Sequence, residues 1–192
     1  MQSLLPIINK AVALGVVMSQ FFVLLVIVLI LTKRKFKLLD FISKYILHIV
    51  FLISLSGVAI SLFYSDVIGF APCILCWIQR IFMYPLVPLF AMAIWKKQRN
   101  IIDYGILLAV LGFLVAIYHN IIYYFNISGA PCGASGISCV QHFVAQFGGF
   151  VSIPMMSLTG FLLILTCLVS AKIYPHTKSV NTFGVGVYRK NQ

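Results

Sequence analysis

The sequence predicts an all-α transmembrane fold: a four-helix bundle with one additional N-terminal membrane helix. Three observations carry this. Apolar residues make up 62% of the 192-residue chain and charged residues only 9%, against about 45–50% and about 25% in soluble domains. The apolar residues gather into five runs, at 11–32, 43–65, 77–95, 101–124 and 152–172, each near the ~20 residues that cross ~30 Å of hydrocarbon. The basic residues punctuate these runs instead of interleaving with aromatics, so the net charge of +11 sets topology and excludes a nucleic-acid partner.

Each run has its own justification. The first is followed by Lys33, Arg34, Lys35 and Lys37. That is the order of a stop-transfer segment, and a cleaved secretory signal carries its charge before the apolar stretch. We read a retained helix with its N-terminus outside. The second and third runs flank an outer segment at 66–76, and Lys96, Lys97 and Arg99 then mark a cytoplasmic turn. The fourth run leads into residues 125–151, which contain no Lys, Arg, Asp or Glu and therefore suit the bilayer surface. Within them Val140, Phe143, Val144 and Phe147 recur at helical spacing, predicting a short interfacial helix. Gly148-Gly149 ends it, and Ile153-Pro154 opens the fifth run, because proline is tolerated in a first helical turn. With Lys44 at the start of the second run and Lys172, Lys178, Arg189 and Lys190 at the end of the chain, twelve of the fourteen basic residues fall on one side, which the positive-inside rule assigns to the cytoplasm. The expected organisation is an extra helix and basic linker at 1–42, a four-helix domain at 43–174, and a partly disordered cytoplasmic tail at 175–192.

This topology places four of the five cysteines at the outer face. Cys73 and Cys76 form a CxxC pair at the start of the third run, where helix N-terminal amides and nearby positive charge lower thiol pKa. Arg80 follows one turn later on the same helical face, about 6 Å deeper. It either stabilises a thiolate and an anionic acceptor or snorkels to the headgroups. His119, in Tyr118-His119-Asn120 near the outer end of the fourth run, is either a proton-handling group at that depth or an ordinary interfacial histidine. Tyr123 and Tyr124 read as aromatic-belt residues. Cys132 and Cys139 lie in a small, flexible outer segment, where a bridge would close a short ring with little structural benefit. Cys167, inside a span, reads as a small core hydrophobe.

Pro72-Cys73-x-x-Cys76 followed by Trp77 and Gln79-Arg80, then the second outer pair and the stretch from Gly149 through Phe161, resembles the DsbB/BdbC family of membrane disulfide-forming oxidases. The resemblance covers about 43–172. It implies a thiol:quinone oxidoreductase of the bacterial cytoplasmic (inner) membrane, serving disulfide formation outside the cytoplasm. Its implied partner is a DsbA-like thioredoxin-fold protein, and its implied acceptor is membrane quinone, ubiquinone or menaquinone. By matching order, Cys132 would form the mixed disulfide with the partner and Cys139 would exchange with Cys73. Cys76 would face the quinone, helped by Arg80, with His119 similar in position to a family histidine near the quinone. The extra span 11–32 lies outside the resemblance.

Three rival readings compete with this one. Four cysteines can hold zinc, but this CxxC faces lipid in an oxidising compartment, so no metal is expected. An oxidase of the vitamin-K-epoxide-reductase type has its loop pair before the membrane-edge CxxC, the reverse of the order here. A transporter or structural subunit braced by disulfides is the alternative from another class, though the spans show no pair of broken helices that would mark a substrate path.

Overall fold

The computed structural model describes residues 5–32, 37–126 and 150–174. Its elements are α1 (Leu5–Leu31), α2 (Lys37–Leu62) continued by a π-helical turn (Phe63–Val67), α3 (Ile74–Met83), α4 (Leu86–Lys96), α5 (Ile101–Phe125) and α6 (Ile153–Ile173). Five segments among the described residues are long and apolar enough to cross a membrane: Pro6–Leu31, Lys37–Val67, Ile74–Lys96, Ile101–Phe125 and Ile153–Ile173. The protein is a multi-pass, all-α membrane protein. The expected interfacial helix at 140–147, the linker residues 33–36 and the tail from 175 lie outside the described residues.

The third crossing differs from the continuous run expected from hydropathy. It breaks at Tyr84-Pro85 into α3 and α4, because proline has no N–H and its ring clashes with the carbonyl four residues back. α2 also deviates, at Tyr45 (φ −105°, ψ 16°). The guanidinium of Arg99, from the α4–α5 turn, donates to the Ser43 carbonyl beside that kink. Lys172 pairs with Asp103 at 2.6 Å, both largely exposed, a contact of about 0–1 kcal/mol at most. These two contacts bring the starts of α2 and α5 and the end of α6 to one end of the bundle, the basic end. The CxxC is at the opposite end.

α6 occupies the centre, packed against α1, α2 and α5. In lipid the hydrophobic effect does little to drive helices together, so close van der Waals packing of small residues has to do it. α5 supplies a buried stripe of Gly105, Ala109, Gly112 and Ala116. A Cβ built on Gly112 would lie 2.3 Å from the Phe161 ring, so only glycine admits α6 at this approach. Phe90, Phe161, Ile164 and Leu168 fill the interior beside the stripe. Large apolar side chains such as Leu14, Phe21, Leu111 and Leu114 point outward, where lipid is their solvent. Cys167 is fully buried, in keeping with its reading as core.

Buried polar side chains are satisfied largely within their own helices. Ser54 donates to the Val50 carbonyl at 2.7 Å, Thr159 to Met155 and Ser170 to Cys167. α6 begins as its sequence suggests: Ser152 is the N-cap, its hydroxyl accepting from the Met155 N–H, with Pro154 in the first turn. Tyr123 departs from the belt reading, being buried, whereas Tyr124 is half exposed and donates to the Phe150 carbonyl at 2.8 Å.

Candidate functional site

Cys73 is the N-cap residue of α3, in extended conformation (φ −71°, ψ 169°), and Cys76 sits in the first turn. An extended N-cap followed by helix turns the two side chains of a CxxC toward each other. Their sulfurs are 3.3 Å apart, a dithiol pair that needs only a small movement to close. Cys73 is buried and Cys76 partly so.

The burial of Cys73 comes from α5, where Ile122 joins Cys73 and Leu75 in a small apolar cluster. His119, one turn earlier and only 2% exposed, places Nε2 3.8 Å from Cys73 Sγ. A histidine this deep is no interfacial residue. Its other nitrogen, Nδ1, lies 3.3 Å from the side-chain nitrogen of Gln79, which is also buried. With the Gln79 amide donating to Nδ1, the ring proton belongs on Nε2, facing the sulfur. Gln79 thereby acts as a positioning residue for the histidine. Asn120, next in the chain, donates to the Ala116 carbonyl at 2.8 Å and to the Pro154 carbonyl at 2.9 Å, pinning this turn of α5 to the start of α6.

The chemical consequence falls on Cys73. Its thiol pKa is held well below the ordinary thiol value, chiefly by the hydrogen bond from Cys76 and further by the hydrogen bond from His119, against burial, which acts the other way. A low-pKa thiol is a good leaving group in disulfide exchange.

Arg80 is anchored and does not snorkel. Its Nε donates to the Ser61 hydroxyl at 3.0 Å and Nη2 to the Ser61 carbonyl at 3.2 Å, and the guanidinium lies 5.1 Å from the Trp77 ring centroid, within cation–π range. Cys73, Cys76, Gln79, Arg80, Tyr84 and His119 all border one cavity of about 590 Å³, inside the roughly 300–1,000 Å³ range of small-molecule sites. The Tyr84 hydroxyl is buried there with no hydrogen-bond partner among the described residues. Such a donor is expensive to leave unmet, but its oxygen is shielded from the cavity.

The four sequence-predicted residues that fall among the described ones, Cys73, Cys76, Arg80 and His119, therefore converge. Cys132 and Cys139 lie outside the described residues. Sequence reasoning missed the roles of Gln79, Ser61 and Tyr84. Gln79 and Tyr84 carried a signal, since each falls within about one turn of Arg80 along the third crossing; Ser61, nineteen residues away, carried none. Cys73, Cys76 and His119 also have their ligand atoms within 4.8 Å of one another, as a metal site would. Two thiolates about 2.3 Å from a tetrahedral zinc stand about 3.7 Å apart, however, so the observed 3.3 Å suits a redox pair better.

Comparison with known proteins agrees with this geometry. Residues 43–171 match the family model described as "Disulfide bond formation protein DsbB". Over 110 residues the chain is 40% identical to "Probable disulfide formation protein C 1" of Bacillus anthracis, covering 56% of this chain and 77% of that protein. It is 37% identical over 127 residues to "Probable disulfide formation protein C 2" of the same organism, covering 66% and 90%. It is 38% identical over 116 residues to the "SPbeta prophage-derived disulfide bond formation protein B" of Bacillus subtilis (strain 168), covering 60% and 78%. No solved structure matches the chain significantly. The chain belongs to the DsbB family. It is a membrane oxidoreductase of disulfide bond formation.

Proposed function

We propose that the protein is a thiol:quinone oxidoreductase that reoxidises a DsbA-like dithiol protein outside the bacterial cytoplasm. One observation carries the reading: the Cys73/Cys76 dithiol, its histidine and the anchored Arg80 border one cavity of about 590 Å³. Arg80 would hold a quinone carbonyl oxygen, and His119, with its proton set on Nε2, serves the sulfur. The distribution of basic residues supports the orientation, with Cys73 and Cys76 at the outer leaflet and the basic end in the cytoplasm.

The relay balances as follows. A partner thiolate attacks Cys132 of a Cys132–Cys139 disulfide, releasing Cys139 thiolate, and the partner's second thiol resolves the mixed disulfide, leaving the partner oxidised. Cys139 thiolate attacks Cys73 of the oxidised CxxC and displaces Cys76. Cys132 thiolate then attacks Cys139, restoring the outer disulfide and expelling Cys73, whose depressed pKa makes it the better leaving group. Two electrons have moved onto the Cys73/Cys76 dithiol. A bound quinone supplies the two-electron, two-proton acceptor that returns this dithiol to the disulfide.

The test is quinone reduction by purified protein with a reduced DsbA-like partner, combined with labelling of closed vesicles, reduced beforehand, by a membrane-impermeant maleimide. One quinol per partner disulfide is expected, with Cys132 labelled from outside only. Partner oxidation without quinol, or labelling of Cys132 from the cytoplasmic side, would reject the proposal.

A further inference from the structure

The first helix lies outside the family match at 43–171, yet it is built into the molecule at three levels. Near its start, the buried Asn9 accepts a 2.7 Å hydrogen bond from the Tyr64 hydroxyl. Midway, Gln20 donates to Thr159 of α6 at 3.1 Å. At its end, the Ile30 carbonyl accepts from Tyr174 at 3.4 Å. A helix serving only as an anchor needs no such register.

Between the first two ties, α1 turns one face to the cavity that holds Arg80 and the cysteines. Ala11, Val12, Gly15, Val16 and Ser19 form its wall there. This face is small and chemically silent. Ser19 spends its hydroxyl on the Gly15 carbonyl at 2.8 Å. The hydroxyls facing it across the cavity behave alike: Ser56 donates to Ile53, and Ser157 to Pro154. Gly15 lines the cavity, is exposed, and a Cβ placed on it meets nothing within 4 Å, so the wall is bare backbone bordering open space there. The free polar chemistry of the cavity is concentrated on α3 and at His119, away from this wall.

We propose that α1 is the wall of the compartment that receives the apolar tail of a prenylated quinone, and that its small face sets which tails fit. This rests on the quinone reading above and assigns a role to a helix outside the matched family domain. The occupant is an isoprenoid chain because the α1 side of the cavity offers volume and apolar contact without a directed donor or acceptor. Bulk added at Gly15 projects into that volume and improves helix propensity, so it excludes the tail without disturbing the fold.

The experiment compares wild type with Gly15→Leu, Gly15→Phe and the control Leu14→Phe, which adds bulk to the outward face of the same helix, where Leu14 is 55% exposed. Each purified full-length protein is incubated with a long-tailed ubiquinone or with a tail-less analogue. Bound quinone is measured by extraction, and Cys73 alkylation is followed as a check that the thiol site is intact. Gly15→Phe should weaken retention of the long-tailed quinone by about 10-fold or more, with Gly15→Leu in between. The tail-less analogue, Cys73 alkylation and Leu14→Phe should stay at wild-type levels. Undiminished retention in the Gly15 variants, or equal loss of both quinones, overturns the assignment of α1 while leaving the quinone reading standing. A wild type that binds neither quinone overturns both. Should Gly15→Phe fail to fold, the Leu variant carries the same comparison.

Discussion

A Cys73→Ser protein is expected to lose turnover with a reduced dithiol partner by roughly 10³-fold or more, as enzymes do when a covalent nucleophile is removed. Cys73 is both the sulfur that exchange would attack and the thiolate it would release. Its sulfur is 3.3 Å from Cys76 and 3.8 Å from His119, and an alkoxide cannot replace it in either role. Cys76→Ser should be equally inactive, while Cys167→Ala, in the core and remote from the cavity, should turn over normally. Comparable activity in all of them would favour a protein whose cysteines merely brace it.

The depressed Cys73 pKa adds a pH signature to the same experiment. In the reduced wild-type protein, Cys73 alkylation should hold its rate from alkaline pH down through neutrality and fall only on the acid side. An ordinary thiol would already lose reactivity about tenfold per unit below about 8.5. His119→Phe removes one of the hydrogen bonds that hold the value down, so the fall should move toward higher pH. The sign for stability follows. This thiol is deprotonated in the folded reduced protein where the unfolded chain keeps its proton. Its stabilising contribution is therefore full above the ordinary thiol range and is lost as pH falls through the lowered value. A profile tracking an ordinary thiol would remove His119 and Cys76 from their assigned roles.

Arg80→Ala is expected to raise KM for quinone by about 10–100-fold, the equivalent of about 1.5–3 kcal/mol for a hydrogen bond to a charged group. Arg80 is held by two bonds to Ser61 and by the Trp77 ring, so its charge stands at a set place on the cavity wall. Lysine keeps the charge but not the planar fork. Arg80→Lys should therefore fall between wild type and alanine, and the KM for the partner should stay unchanged in both. An effect confined to the partner's KM would contradict the placement of Arg80 at the acceptor side.

How much of this was legible in the sequence depends on range. The five crossings could be read because lipid imposes length and polarity on each segment separately. The CxxC and Arg80 could be read because they lie within two turns of one helix. The break at Tyr84-Pro85 had its signal in Pro85, which the smooth hydropathy of the run concealed. The contacts that complete the site are long-range. Gln79 meets His119 across 40 positions and Gln20 meets Thr159 across 139. No local pattern announces such pairs, because both partners are polar residues in otherwise apolar helices. The role of α1 was open for the same reason: hydropathy says that a helix crosses the membrane, and only packing says what it crosses beside.

The most direct measurement is a single turnover without the partner. Fully reduced protein carrying Cys132→Ser and Cys139→Ser, so that the outer pair cannot take up the disulfide, is mixed anaerobically with one equivalent of quinone, and free thiols and quinol are counted together. The account predicts two thiols lost for each quinol formed, with a Cys73–Cys76 disulfide recovered by peptide mapping. Quinone left oxidised beside an intact Cys73/Cys76 dithiol would contradict it.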